Sequence, residues 1–139
     1  MVLAGCAAPA GRTGDGGAAG GSSSAAAGPA RDLVVEIDRG DGSAAERYTL
    51  TCGDVAEGDH PDAAAACDHL AGLAEPFRPI PDDAICTEQY GGPQTARVTG
   101  VWDDEPVDLA LSRVDGCAIS QWDALGPLLP GPVGVPPPG

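Results

Sequence analysis

The chain has 139 residues, with 7 Lys plus Arg against 21 Asp plus Glu, a net charge of −14 and an aromatic content of 4%. That balance excludes a phosphate-neutralising nucleic-acid binder, which needs clustered cations, and an anionic membrane surface would repel it. Glycine and proline gather in residues 5–30 and 126–139, which leaves a globular middle of about 95–100 residues with a small core in need of staples.

The chain opens Met1-Val2-Leu3-Ala4-Gly5-Cys6. Leu-Ala-Gly-Cys resembles the lipobox of bacterial lipoproteins, in which the cysteine becomes the lipidated N-terminus. Small Ala4 and Gly5 suit a signal-peptidase site, but only residues 1–3 could serve as the apolar region of a signal. Upstream coding sequence, or a fragment, is therefore expected, with residues 1–6 as a residual lipobox and Cys6 as lipid acceptor. Residues 7–30 are almost all Ala, Gly, Ser and Pro, the composition of a flexible tether. No run of about 18 apolar residues occurs, so no transmembrane helix is expected, and a membrane would be reached only through the lipid.

Residues 31–129 read as the domain. Leu33 to Ile37 is rich in β-branched residues and predicts a strand, followed by an Asp/Gly turn at residues 38–43. Residues 46–52 alternate, with Tyr48, Leu50 and Cys52 on one face, and pair with the first strand. Residues 53–58 read as a polar loop. Asp59-His60-Pro61-Asp62 opens a helix that residues 63–74 continue, with Asp59 as the expected cap and Cys67, Leu70, Ala71 and Ala74 as the apolar stripe. His60 and His69 read as turn and surface groups. Three prolines make 75–83 extended and irregular. Strands follow at 94–102 and 107–112 around an Asp103-Asp104 turn. A last helix over 117–125 turns Ile119, Trp122 and Leu125 inward. The chain from Gly126 on, and the tail 130–139 in particular, reads as disordered. The architecture is α+β: an antiparallel sheet with helices on one side.

With Cys6 set aside, Cys52, Cys67, Cys86 and Cys117 remain, an even number that reads as two disulfides in an exported domain. Spacing leaves three connectivities open. No Cys-x-x-Cys pair or Asp-x-Asp-x-Asp-Gly loop occurs, and neither histidine has ligand spacing to a cysteine. No metal or other cofactor is expected. No nucleophile–base pair is suggested either, so an enzyme is not expected.

Several segments together carry a resemblance. They are Cys52, His60-Pro61-Asp62, Cys67, Cys86-Thr87-x-x-Tyr90-Gly91-Gly92-Pro93-Gln94-Thr95-Ala96, Val98-Thr99-Gly100-x-Trp102 and Gly116-Cys117-x-Ile119-x-x-Trp122-Asp123-Ala124-Leu125. Over roughly residues 32–129 this order resembles the Streptomyces subtilisin inhibitor family of secreted serine-protease inhibitors. The resemblance implies disulfides Cys52–Cys67 and Cys86–Cys117, and a five-stranded antiparallel sheet with two helices. It also implies homodimers formed through the sheet in many members.

It further implies a substrate-like reactive loop of Ile85, Cys86, Thr87, Glu88, Gln89 and Tyr90. Glu88 would be the P1 residue that enters the protease S1 pocket, and Gln89 would be P1′. An acidic P1 suits a glutamate-selective serine protease and neither an apolar nor an acidic pocket. The family commonly has Asn before Gly-Cys, as a donor to loop carbonyls. Here Asp115 stands there, and an ionised carboxylate only accepts, so that support is lost or replaced. The expected function is a secreted or extracytoplasmic, lipid-anchored serine-protease inhibitor. The alternative is a non-inhibitory cell-surface binding lipoprotein on the same scaffold, which Glu88 and Asp115 favour.

Overall fold

The structure, a computed structural model, describes residues 28–135. Cys6, the lipobox, residues 7–27 of the linker and the last four residues lie outside the described part. Five strands form one antiparallel sheet: β1 Arg31–Asp38, β2 Glu46–Cys52, β3 Ala56–Glu57, β4 Thr95–Trp102 and β5 Glu105–Leu111, in the order β3-β2-β1-β4-β5. Two helices, α1 Ala63–Ala71 and α2 Gly116–Ala124, precede a 3-10 turn at Gly126–Leu128. The α+β expectation holds, and the alternation of apolar residues explains it. Leu33, Val35 and Ile37 of β1 point inward with Leu50 of β2, Ala96 and Val98 of β4, and Val107, Leu109 and Leu111 of β5. Trp122, Leu125, Leu128 and Leu70 close the same cluster. The opposite sheet face is polar and carries the ion pairs Arg47–Glu36 and Arg97–Asp108.

β1 is central and pairs with β2 on one side and β4 on the other. Asp103 and Asp104 make the β4–β5 turn with φ of 53° and 67°, the left-handed pair of a two-residue hairpin that Asp tolerates. The Asp104 carboxylate accepts from the Ala30 N–H at 2.8 Å, tying the hairpin to the start of β1.

Several expectations need correction. The 53–58 loop contains β3, whose two residues pair with Thr51 and Cys52; so short a strand leaves no alternation to read. Asp59 does not cap α1. Its carboxylate accepts from the Thr49 N–H at 2.6 Å, and Asp62 is the N-cap. α1 stops at Ala71, before Gly72, a poor helix former. The helix faces the core with Ala63, Ala66, Cys67 and Leu70, the same i, i+3, i+4, i+7 spacing set four residues earlier, and Ala71 and Ala74 are exposed.

His60 is buried, not a surface group. Its Nε2 donates to the Leu128 carbonyl at 2.9 Å, and its Nδ1 accepts from the Asp62 N–H at 3.0 Å, which fixes one neutral tautomer. His69 Nε2 likewise reaches the Ala124 carbonyl at 2.8 Å. The expectation of disorder from Gly126 fails at 126–129, because Leu128 and Leu129 fill the core. Beyond them the Pro130 and Pro132 carbonyls accept from Arg39, and Gly134 pairs through both backbone groups with the buried Gln94 amide.

Candidate functional site

The disulfides are Cys52–Cys67 and Cys86–Cys117. The first joins the end of β2 to α1. The second joins a long loop, between α1 and β4, to the first turn of α2. Residues 82–85 and 87–90 of that loop are all exposed, and Ile85 is 98% exposed. A fully exposed Ile is uncommon in so small a domain, and here it stands beside a disulfide in a segment without regular structure.

The loop is held at both ends. Gln121 Nε2 donates to the Arg78 carbonyl at 3.1 Å, and the Ala84 N–H donates to the Pro81 carbonyl at 3.1 Å. Cys86 is pinned to Cys117. One residue on, the Thr87 carbonyl accepts from two backbone donors, the Gln89 N–H at 3.0 Å and the Gly116 N–H at 2.9 Å. The first of these closes a three-residue turn about Glu88, and the negative φ of Glu88 makes it an inverse γ-turn. Glu88 is therefore the exposed apex of a kink whose two flanks are tied down.

Beyond Tyr90, the Gly91 N–H donates to the Arg113 carbonyl at 2.7 Å, and Arg113 Nε donates back to the Gly91 carbonyl at 3.0 Å. Arg113 is buried. Its Nη1 binds Asp123 at 2.9 Å, and its guanidinium lies 5.7 Å from the Trp122 ring centroid. Gly91 lets Ile119 close in: an added Cβ would come within 2.8 Å of the Ile119 side chain, which would have to shift. Ile119 is thus half-buried against the loop, while Ala118 takes the inward position once expected of it.

Asp115 caps α2. Its backbone is extended, and its carboxylate accepts from the Ala118 N–H at 2.9 Å. This is ordinary N-cap chemistry, and it makes no bond to the loop. The backbone N–H of the next residue, Gly116, reaches the loop carbonyl instead. Arg113 and the Gly116 N–H were not apparent from sequence. The one available signal was that Arg113 is the only basic residue after Arg97, a lone cation just ahead of Trp122 and Asp123. Cys86, Asp115 and Cys117 are close together, but two of the three sulfur and oxygen donors are disulfide sulfurs, which are not thiolate ligands.

The subtilisin inhibitor-like family model matches residues 29–112. The chain belongs to the subtilisin inhibitor-like family. It is 35% identical over 94 residues to a subtilisin inhibitor of Streptomyces violaceus, covering 63% of this chain and 64% of that one. It is 40% identical over 91 residues to subtilisin inhibitor-like protein 3 of Streptomyces coelicolor, covering 61% of this chain and 84% of that one. Among solved structures it is similar to Streptomyces caespitosus sermetstatin, crystallised in complex with Bacillus licheniformis subtilisin. That likeness has 27% identity and a TM-score of 0.46, and it covers 73% of this chain and 97% of the other. The named relatives are protease inhibitors and not enzymes.

Proposed function

We propose that this domain inhibits a serine protease by presenting residues 85–90 as a substrate, with Glu88 as P1, Gln89 as P1′ and the Glu88–Gln89 bond as the reactive one. The observation that carries the reading is that the exposed apex at Glu88 is tied down on both sides. Before it stand the Cys86–Cys117 bridge and the bond from the Gly116 N–H to the Thr87 carbonyl; after it stands the pair Gly91 and Arg113. A loop already restrained loses little ordering entropy on binding. The same restraints hold both new chain ends after cleavage, so the bond re-forms before the product leaves. Ile85, three residues ahead of Glu88, offers apolar surface to the protease cleft.

A P1 carboxylate enclosed in S1 must be answered by a cation there, since an unpaired buried charge costs several kcal/mol, roughly a thousandfold or more in affinity. The target is accordingly a glutamate-selective serine protease. Two disulfides suit an oxidising compartment outside the cytoplasm. Lipidation at Cys6 would hold the domain at the cell membrane, and mass analysis of the membrane-bound product tests it. Pairing of two copies across the outer sheet face is tested by sedimentation.

The deciding experiment measures inhibition constants for wild type and Glu88→Lys against a glutamate-selective protease, trypsin and subtilisin. The wild type inhibits the first best, and Glu88→Lys gains trypsin inhibition. A folded Glu88→Lys variant that is inert towards trypsin, or is simply digested, sinks the inhibitor reading and leaves the non-inhibitory binding protein.

A further inference from the structure

Thr87 and Gln89 stand on either side of Glu88, and their side chains meet across it. The Thr87 hydroxyl donates to Gln89 Oε1 at 3.0 Å. Both groups lie over the first turn of α2. A Cβ built on Gly116 would fall 1.9 Å from Thr87 Oγ1 and 3.2 Å from Gln89 Oε1. Gly116 thus leaves room for this pair, and no side chain from α2 enters between them. Asp115, where support of the loop was expected to be lost or replaced, is engaged with the Ala118 N–H and makes no bond to the loop.

We propose that the hydrogen bond between the side chains of Thr87 and Gln89 is the brace of the reactive bond in this chain, and that both are positioning residues. The inference rests on the reading of Glu88–Gln89 as the reactive bond. In that reaction the protease serine oxygen bonds to the Glu88 carbonyl carbon and the C–N bond to Gln89 breaks. The serine proton passes through the protease's own base to the Gln89 nitrogen, which becomes a free amine. Resynthesis is the reverse: the amine lone pair attacks the acyl carbon, and the serine oxygen leaves and recovers its proton.

Everything depends on whether that amine stays within reach. The Thr87–Gln89 link joins a residue two positions ahead of the cut bond to the residue just after it, so it survives the cut. The Thr87 carbonyl is meanwhile fixed by the Gly116 N–H at 2.9 Å. The γ-turn bond from the Gln89 N–H joins the same two residues and also spans the break. With Asp115 unable to donate, this side-chain bond does the positioning that a donor at 115 would do.

The test uses the full chain and a glutamate-selective serine protease. The variants are Thr87→Val, Gln89→Met, the two combined, and Thr87→Ser, which keeps the hydroxyl. The readouts are association rate, the rate of cleavage at 88–89, the ratio of cut to intact inhibitor at equilibrium, and the thermal midpoint. Thr87→Val and Gln89→Met should each speed net cleavage about tenfold, the worth of one hydrogen bond, and shift the equilibrium towards cut inhibitor. The thermal midpoint should stay unchanged, and the shift towards cut inhibitor, a property of the inhibitor itself, should appear whatever these loop variants do to the association rate. The double variant should be no worse than either single one, and Thr87→Ser should keep the wild-type ratio of cut to intact inhibitor. If the wild type inhibits and the single variants match it, or their effects add in the double variant, the brace is overturned and the inhibitor reading stands. If the wild type is not bound, or is cut elsewhere than 88–89, the inhibitor reading falls and takes the brace with it.

Discussion

Cys52 ends β2 and meets Cys67 of α1 among Leu50, Ala66 and Leu70, each at most 1% exposed. Cys86 meets Cys117 under a loop in which Cys86 is the one residue between 82 and 90 that is not exposed. The first bridge joins elements that burial already holds together. The second joins an exposed segment to a helix end, and directional bonds from the Gly116 N–H, the Gly91 N–H and Arg113 do the rest. Order in the first region is a by-product of stability. In the second it is imposed on a surface that has to stay exposed to be useful.

Removing each bridge in turn is the strongest way to break this comparison. The bridges close separations of 15 and 31 residues, worth about 3 and about 4 kcal/mol on the chain-entropy model. Replacing Cys52 and Cys67 by Ser, or Cys86 and Cys117 by Ser, should therefore lower stability by similar amounts, read as urea midpoints. Their effects on function should part. Loss of Cys86–Cys117 should turn the domain into a substrate cut at 88–89, while loss of Cys52–Cys67 should leave inhibition intact wherever the domain is still folded. Lost inhibition in a folded Cys52/Cys67 variant would show that the two regions are one.

Arg113 sits on the boundary between them. Its side chain is 9% exposed, and it serves the loop through the Gly91 carbonyl and the helix through Asp123. Asp123 is 60% exposed, so that ion pair adds at most about 1 kcal/mol; a buried hydrogen bond from a charged donor contributes more, about 2 kcal/mol. Arg113→Met should lower stability by about 2 kcal/mol and weaken inhibition as well. A variant that lost only stability would move Arg113 wholly into the core region.

Gly116→Ala separates the regions in the other direction. Alanine favours a helical first turn over glycine, so the thermal midpoint should hold or rise. Its Cβ would strike the Thr87 hydroxyl, which must move. Inhibition should weaken about tenfold or more in an undamaged fold, close to the worth of one hydrogen bond. Unchanged inhibition would mean that the loop does not rely on its seat against α2.

How much of each region could be read from the sequence follows the same division. The strands were legible to within two residues, at 33–37 from β-branched content and at 46–52 and 107–112 from alternation, and burial of Leu50 and Cys52 and of Val107, Leu109 and Leu111 obeys that period. Disorder from Gly126 was misread because proline and glycine content hid Leu128 and Leu129, which are buried, with the Leu128 carbonyl bonded to His60. At the site, the resemblance implied both bridges, and the structure has them. It could not show what Asp115 does: a carboxylate before Gly-Cys suits a loop contact and a helix cap equally, and only the extended backbone at 115 decides for the cap. Arg113 was invisible because its partners are a backbone carbonyl and a residue ten positions on, with no periodicity to connect them.

The smallest effect tests whether the β1–β2 turn belongs to the stability region alone. Arg39 binds Glu46 through two bonds of 2.9 Å, and the Tyr48 hydroxyl donates to the same carboxylate at 2.6 Å. The Arg39 guanidinium first, and then that hydroxyl, hold Glu46 down to about 2 from an ordinary 4.5. A carboxyl that is more acidic in the folded state than in the unfolded chain adds stability in full above the unfolded value, and loses it as pH falls. The contribution should therefore be constant above about pH 5 and fade between 4.5 and 2. Glu46 is 37% exposed, and with solvent screening its worth is at most about 1 kcal/mol. Glu46→Gln should lower the urea midpoint slightly at pH 7 and converge with wild type near pH 2. Asp59, held acidic by the Thr49 N–H, and Asp41, by the Ser43 hydroxyl, titrate in both proteins and cancel in the difference. Inhibition at pH 7 should be identical in the two. A change there would mean that Arg39, freed from Glu46, shifts the Pro130 and Pro132 carbonyls it holds, and that this turn reaches the loop through Gly134 and Gln94.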